Sequence, residues 1–246
     1  MMRRLRCATT KLIRSGCFPA PALLRDRSGT PAIEFALLAP VMFTMLAGSY
    51  DITQIFIAMR AVTGTAQAIV QIATEQSVQP DQSNSLTVRE AYQAMTAIYA
   101  MIPGLKSGAD TSQYSVTLSA IVFVASPPGC VAGGNCTYVG KTAWSVALLP
   151  MGLAVTRTPC SVVAQVASDQ RATASSLPTS GMTTLTSVVV ADVSYQYQPL
   201  FSGFVTGPIT LQRTAFLPPR AGMPKQYVQY DKDHASTNSA VCHQSF

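Results

Sequence analysis

Residues Phe35–Ile57 read FALLAPVMFTMLAGSYDITQIFI, and this stretch decides how the rest of the chain is interpreted. It supplies 23 residues, enough for a helix to cross the roughly 30 Å hydrocarbon layer of a bilayer. Asp51 is its only charged residue, and neither Lys nor Arg occurs between Arg27 and Arg60. The apolar side chains outweigh the cost of one off-centre carboxylate, and membrane helices tolerate a proline such as Pro40. The stretch therefore predicts a single transmembrane helix.

The net charge of +6 is concentrated before this helix. Residues 1–29 contain seven basic residues and one acidic residue, whereas residues 30–246 contain ten of each. Because Lys and Arg favour the cytoplasmic side of a membrane span, residues 1–29 are predicted to be a basic cytoplasmic leader. Everything after about residue 60 is then exported. A neutral body without basic clusters also argues against a nucleic-acid partner.

The cysteines agree with export. Cys130, Cys136, Cys160 and Cys242 form an even set after the span, which is typical of disulfides in an oxidising compartment. Four cysteines allow three pairings, and we favour Cys130 with Cys136 and Cys160 with Cys242. Four buried thiols are the alternative.

A cleavable secretory signal is the other interpretation of the N-terminal region. Phe35–Leu46 would be its apolar core, and the small residues 47–49 would be the cleavage site. This interpretation does not explain why apolar residues resume at helical spacing at Ile52, Ile55 and Phe56.

The helix is expected to continue beyond the membrane as a stalk, so that residues 30–75 form one element. Small and apolar residues recur at spacings of three and four between Ala61 and Ala73, which predicts one buried face. Residues 76–86 are mostly polar and are predicted to form a linker. A second helix is predicted over Thr87–Ile102, because Thr87 and Glu90 have the spacing of a capping box.

From Tyr114 onward the apolar period changes to two, which is typical of β-strands. Strands are predicted over Tyr114–Val124, Tyr138–Leu149, Leu185–Tyr197 and Pro208–Phe216. Strands following helices predict an α+β fold in which a four-stranded antiparallel sheet packs on helix. The exported domain would cover residues 87–221, and residues 222–246 would be a polar, irregular tail.

The sequence lacks the patterns of an enzyme. Gly134–Thr142 has the wrong glycine spacing for a phosphate-binding loop, and the chain contains no Gly-x-Ser-x-Gly motif. Its two histidines, His234 and His243, lie in the polar tail without the spacing of a metal site. We predict no catalytic residue, no metal, no cofactor and no small-molecule substrate.

Residues 28–40, SGTPAIEFALLAP, resemble the start of the TadE/TadG family of tight-adherence pilus assembly proteins. The resemblance extends through Asp51 into Ala61–Ala73, although Gln67 and Gln71 stand where the family usually has arginines. A second block, residues 188–200 with 209–211 and 218–220, is also similar to the family.

The resemblance implies roles for several residues. Glu34 lies five residues after Gly29, the spacing at which type IV pilin precursors are cleaved, so cleavage between Gly29 and Thr30 would leave Glu34 near the new N-terminus. Glu34 would then pair with a neighbouring subunit's amino group, or it merely lies at the cytoplasmic interface. Asp51 either contacts a partner helix or is solvated near the outer interface.

The resemblance also implies a function. It indicates a membrane-anchored, non-catalytic pilus assembly protein or minor pseudopilin in the bacterial inner membrane, with a periplasmic C-terminal domain. Its partners would be the lipid bilayer and other pilin-like or assembly proteins. The alternatives are a membrane-tethered binding module for a ligand or cell-surface component and, less favoured, an anchored hydrolase.

Overall fold

The computed structural model describes residues 30–76, 85–102, 113–126, 137–148, 157–166, 176–178, 187–201, 207–220, 227–231 and 239–243. The chain forms two compact units, Met1–Ser49 and Tyr50–Phe246. The basic leader and residues 127–136, which include Gly134, Cys130 and Cys136, lie outside the described residues. So does most of the predicted linker.

The first element is one long helix, α1, over Thr30–Gln76. Its 47 residues correspond to a length of about 70 Å at 1.5 Å per residue. Pro40 lies inside it. The prediction that the helix continues past the apolar stretch is confirmed, because no break separates Ile57 from the stripe between Ala61 and Ala73.

Two short helices follow, α2 over Val88–Thr96 and α3 over Ile98–Met101. The predicted capping box starts α2: the Thr87 hydroxyl accepts from the Glu90 N–H, and the Glu90 carboxylate accepts from the Thr87 N–H at 2.8 Å. The pattern predicted a single helix here. The structure instead contains a break at Ala97, where the α2 end and the α3 start meet.

The main sheet has four antiparallel strands, which confirms the predicted α+β fold. The strands are β2 over Tyr114–Ser126, β3 over Thr137–Leu148, β6 over Ser187–Tyr197 and β7 over Ile209–Leu217. Their order across the sheet is β3-β2-β6-β7. The strand ends differ from the predicted ones by one or two residues.

Small strands occur that the period-two pattern did not indicate. A short strand β1, Ser85–Leu86, pairs in parallel with β8, Gln229–Tyr230, and β4, Ala164–Val166, pairs in parallel with β5, Ser176–Pro178. Segments predicted to be a linker and an irregular tail therefore contribute to the fold. The prediction of irregular structure fails there because pairing between segments far apart in sequence leaves no local pattern.

The hydrophobic core lies between α1 and one face of the sheet. The buried stripe of α1 contains Val62, Ala66, Ile69, Val70 and Ala73, and it belongs to the same cluster as Val116, Leu118, Val189, Ala191 and Trp144. Two hydroxyls inside this stripe are satisfied by the helix itself, since Thr65 and Thr74 donate to backbone carbonyls of the preceding turn. Complete burial of a Val or Ile side chain, such as Val62 or Ile69, contributes roughly 1.5–3 kcal/mol to the stability of the fold.

The C-terminal segment completes this core. Trp144 stacks on Tyr230 and donates its indole N–H to the Val228 carbonyl at 2.6 Å. Both Val228 and Tyr230 are buried in the same cluster. The opposite face of the sheet carries a smaller cluster of five residues: Ile121, Phe123, Val163, Val188 and Val190.

Candidate functional site

The N-terminal part of α1 exposes a continuous apolar surface. Between Ile33 and Leu46 every large hydrophobic side chain is at least half exposed. The helix is long and apolar enough to cross a membrane, by length and composition, over a segment within Ile33–Glu75. An exposed apolar surface of this extent is typical of a site that contacts lipid or protein.

Two hydroxyl groups in this part of α1 donate to backbone carbonyls of the helix itself. The Thr44 hydroxyl donates to the Val41 carbonyl, and the Ser49 hydroxyl donates to the Leu46 carbonyl, each at 2.8 Å. Such bonds within the helix are what a hydrocarbon environment requires, because it offers no water as an alternative partner. Thr44 and Ser49 are therefore compatible with burial in lipid.

The predicted processing residues lie at the start of the described chain. Gly29 is outside it, and α1 begins at Thr30. Glu34, in the first turns of α1, is exposed. Cleavage after Gly29 and the pairing of Glu34 both remain predictions.

Asp51, in contrast, is fully buried. Its two carboxylate oxygens accept hydrogen bonds from the backbone N–H groups of Leu200 at 3.3 Å and Phe201 at 3.2 Å. The structure therefore adds an intrachain contact to the two interpretations drawn from the sequence, a partner helix or solvent. Asp51 fixes the segment that follows strand β6.

Aromatic residues lie near this carboxylate. Tyr50 contacts Phe201 edge to face, with ring centroids 6.3 Å apart. The pKa of Tyr197 is raised above its ordinary value, first by burial and then by the negative charge of Asp51. The Tyr197 phenol consequently stays neutral.

The C-terminal part of α1 also lines a groove. Gln67 and Gln71, at the positions where the resemblance leads one to expect arginines, lie with Arg213 and Phe216 of β7 around a cavity of about 420 Å³. Gln71 donates to Glu75 at 3.3 Å, and Glu75 forms an exposed ion pair with Arg220 at 2.9 Å. The glutamines are thus partly exposed helix-surface residues beside the last strand of the sheet.

Of the four cysteines that follow the apolar stretch, two are described and they form a disulfide, Cys160–Cys242. Both cysteines belong to segments that hydrogen-bond to the outer edge of β3. Cys160 N–H donates to the Thr142 carbonyl at 2.8 Å, and Cys242 N–H donates to the Ala143 carbonyl at 2.7 Å. The disulfide therefore joins two short segments that together cover one edge of the sheet.

A buried ion pair was missed at the sequence level. Arg157 and Asp192 are both almost completely buried, with Arg157 Nε 2.8 Å from an Asp192 carboxylate oxygen. Thr214 donates to the same carboxylate at 2.7 Å. Asp192 interrupts the apolar run of β6, and a charged residue in such a strand is a signal that a partner is present. The sequence does not identify Arg157 as that partner.

Among the described residues, no group of three or more His, Cys, Asp or Glu side chains is placed to hold a metal ion. His243 is exposed, and His234 lies outside the described residues.

Residues 29–71 match a family model described as TadE-like protein. This range contains the first block of resemblance, from Gly29 through Asp51 to Gln71, and that part of the prediction is confirmed. The second block, in β6 and β7, lies outside the matched range. No curated protein and no solved structure matches the chain.

Proposed function

We propose, from the TadE-like domain at residues 29–71, that this chain is a membrane-anchored component of the machinery that assembles a tight-adherence pilus. The proposal covers its mode of action as well. The exposed apolar part of α1 lies in the bilayer and packs against pilin-like helices, while the domain after Tyr50 contacts other assembly proteins. No substrate is turned over.

One observation carries this proposal: α1 is a single helix that changes its environment along its length. From Ile33 to Leu46 the large hydrophobic side chains are exposed, whereas from Val62 to Ala73 the apolar stripe is buried under the sheet. A helix that is buried at one end and exposes apolar side chains at the other needs lipid or another helix to cover the exposed part.

The distribution of charge and the chemistry of the cysteines support an orientation of the chain across the membrane. Seven basic residues precede the span, so the N-terminus would remain in the cytoplasm and the sheet domain would lie in the periplasm of a bacterial inner membrane. The Cys160–Cys242 disulfide supports this direction, because disulfides are rare in reducing compartments.

Glu34 is the residue proposed to specify helix packing. Its carboxylate lies in the first turns of the exposed apolar segment, where an unpaired charge is costly unless a cation is close. A neighbouring subunit's amino terminus, freed by cleavage between Gly29 and Thr30, is a suitable cation. This processing would make the chain a minor pseudopilin, and an intact leader would make it a permanent anchor.

A tethered binding module is the second candidate, and the groove between α1 and β7 favours it. Gln67, Gln71, Arg213 and Thr214 offer hydrogen-bonding groups around a volume of about 420 Å³, within the range of small-ligand sites. Saturable uptake of a ligand by the full chain, lost in Arg213→Ala, would support this candidate.

Deletion and complementation in the source bacterium test the assembly role, with pili counted by electron microscopy. Deletion should abolish pili, wild type should restore them, and Glu34→Gln should fail because it removes the carboxylate charge. Glu75→Gln is the matched control on the same helix, since Glu75 forms only an exposed ion pair. Normal piliation of the deletion strain would exclude an assembly role.

The intact mass of the purified protein identifies its first residue, and so distinguishes a processed pseudopilin from a permanent anchor. A chain starting at Thr30 indicates pseudopilin processing. A chain retaining its leader indicates a permanent anchor, and a start near Ser49 indicates a secretory signal.

A further inference from the structure

Residues 198–201, which follow β6 and are called the connection below, are hydrogen-bonded to α1 within the apolar stretch. Asp51 accepts the N–H groups of Leu200 and Phe201, and Tyr50 contacts the Phe201 ring. The Leu200 side chain, however, is 68% exposed. The backbone is therefore fixed at this point while a large apolar side chain stays uncovered.

The position of Asp51 along α1 determines how deep in the membrane this contact lies. Asp51 lies six residues before Ile57, the end of the apolar stretch, which is about 9 Å along a helix axis. Hydrogen bonds of 3.2–3.3 Å hold residues 200 and 201 at the level of Asp51. If the span ends at Ile57, the connection enters the outer leaflet; if it ends near Tyr50, the connection lies at the lipid interface.

The sequence of the connection suits either depth. From Val193 to Gln212 the chain contains no Asp, Glu, Lys, Arg or His, although these residues belong to the proposed exported domain. Charged side chains are costly near hydrocarbon, and backbone N–H groups there must be satisfied within the protein. Asp51 satisfies two of them.

We infer that residues 198–201 form a second membrane-contacting element, with the Leu200 and Phe201 side chains among lipid acyl chains. The occupant of this apolar surface is the bilayer. The inference rests on the proposed function in one respect, since it requires α1 to be in the membrane. A second attachment beside α1 restricts rotation of the sheet domain about the helix and presents a constant face to partners.

Quenching of tryptophan by brominated phosphatidylcholine tests this inference on the full chain in vesicles. Leu200→Trp places the reporter in the connection, and Phe43→Trp, at a position 66% exposed, places one in the span. Phe216→Trp is the matched control on β7. Phe216 lies seven residues beyond Ile209 in β7, or about 23 Å along a strand. The native Trp144 is fully buried and serves as a constant background.

We expect bromines near the headgroup end of the acyl chains to remove most of the emission that Leu200→Trp adds. Phe43→Trp should also be quenched, and Phe216→Trp should not. Gln198→Trp, at an exposed position in the same connection, provides a second reporter should Leu200→Trp fail to fold.

Two outcomes overturn the inference while leaving the anchor intact: quenching of Phe43→Trp without quenching in the connection, or quenching of all three reporters, which would make the contact non-local. An unquenched Phe43→Trp refutes the membrane anchor itself, and the inference with it.

Discussion

Two ion pairs of nearly equal length allow the effect of burial on an ion pair's contribution to folding stability to be measured directly. The Arg157–Asp192 pair has an N–O distance of 2.8 Å and is almost fully buried, whereas the Arg220–Glu75 pair is 2.9 Å long and half exposed at both ends. Arg157→Ala leaves the Asp192 carboxylate buried without its guanidinium partner, although the Thr214 hydroxyl still donates to it. Arg220→Ala leaves a solvated Glu75.

The expected magnitudes differ clearly. Removing one partner of a buried pair costs about 3–5 kcal/mol, while an exposed pair contributes roughly 0–1 kcal/mol. With a urea slope of about 2 kcal/mol per molar, Arg157→Ala should lower the unfolding midpoint by about 1.5–2.5 M. Arg220→Ala should lower it by less than about 0.5 M.

Urea unfolding in detergent micelles, followed by the emission of the single Trp144, provides the assay. A double variant, Arg157→Met with Asp192→Leu, removes both charges and should recover most of the lost stability, because apolar residues of similar volume often replace a buried pair at little cost. Equal midpoint shifts for Arg157→Ala and Arg220→Ala would refute the reasoning. A double variant less stable than Arg157→Ala would refute it as well.

Three further predictions concern the same domain. Asp51→Ala should raise the hydrogen-exchange rates of the Leu200 and Phe201 amides, and Asp51→Asn, which retains an acceptor oxygen, should raise them less; unchanged rates would contradict the contact. Reducing the Cys160–Cys242 disulfide should cost about 2–5 kcal/mol, so an unchanged urea midpoint would count against it. It should also expose to exchange the Thr142 and Ser145 amides, which donate to the Ser161 and Ala240 carbonyls of the two bridged segments. Burial, with the hydrogen bond and charge of Tyr99, raises the pKa of Tyr114 in the folded chain. Above the ordinary value of about 10 the unfolded chain ionises this phenol while the folded chain keeps it neutral, so its contribution to stability is lost progressively as the pH rises. Stability should therefore be constant from pH 7 to 9 and fall above about pH 10, less steeply in Tyr114→Phe.

The main strands and the α2 cap were predictable because their signals are local. Alternation from Tyr114 onward depends only on the two-residue period of a strand, and Thr87 with Glu90 satisfies two N–H groups of the same helix turn. Alternation weakens in β3 because a bulge opposite Ala120 and Ile121 inserts one extra residue. There Thr142, Ala143, Trp144 and Ser145 are buried in succession.

Contacts between distant segments were not predictable in the same way. Asp51 meets Leu200 and Phe201 across about 150 residues, and no periodicity encodes that pairing. The segment at Val228 and Tyr230 looks polar as a whole, and its burial depends on the Trp144 ring that it covers. In the candidate site, the sequence identified Asp51 as unusual, and the fold supplied its partners.

Membrane extraction of the full chain tests the central claim most directly. Membranes carrying the protein are washed with alkaline carbonate, and the intact mass of the protein is measured in the pellet and in the wash. We expect the protein to remain in the pellet with residues 33–57 included in its mass. A washed-off protein whose mass still includes those residues would contradict a bilayer-spanning α1.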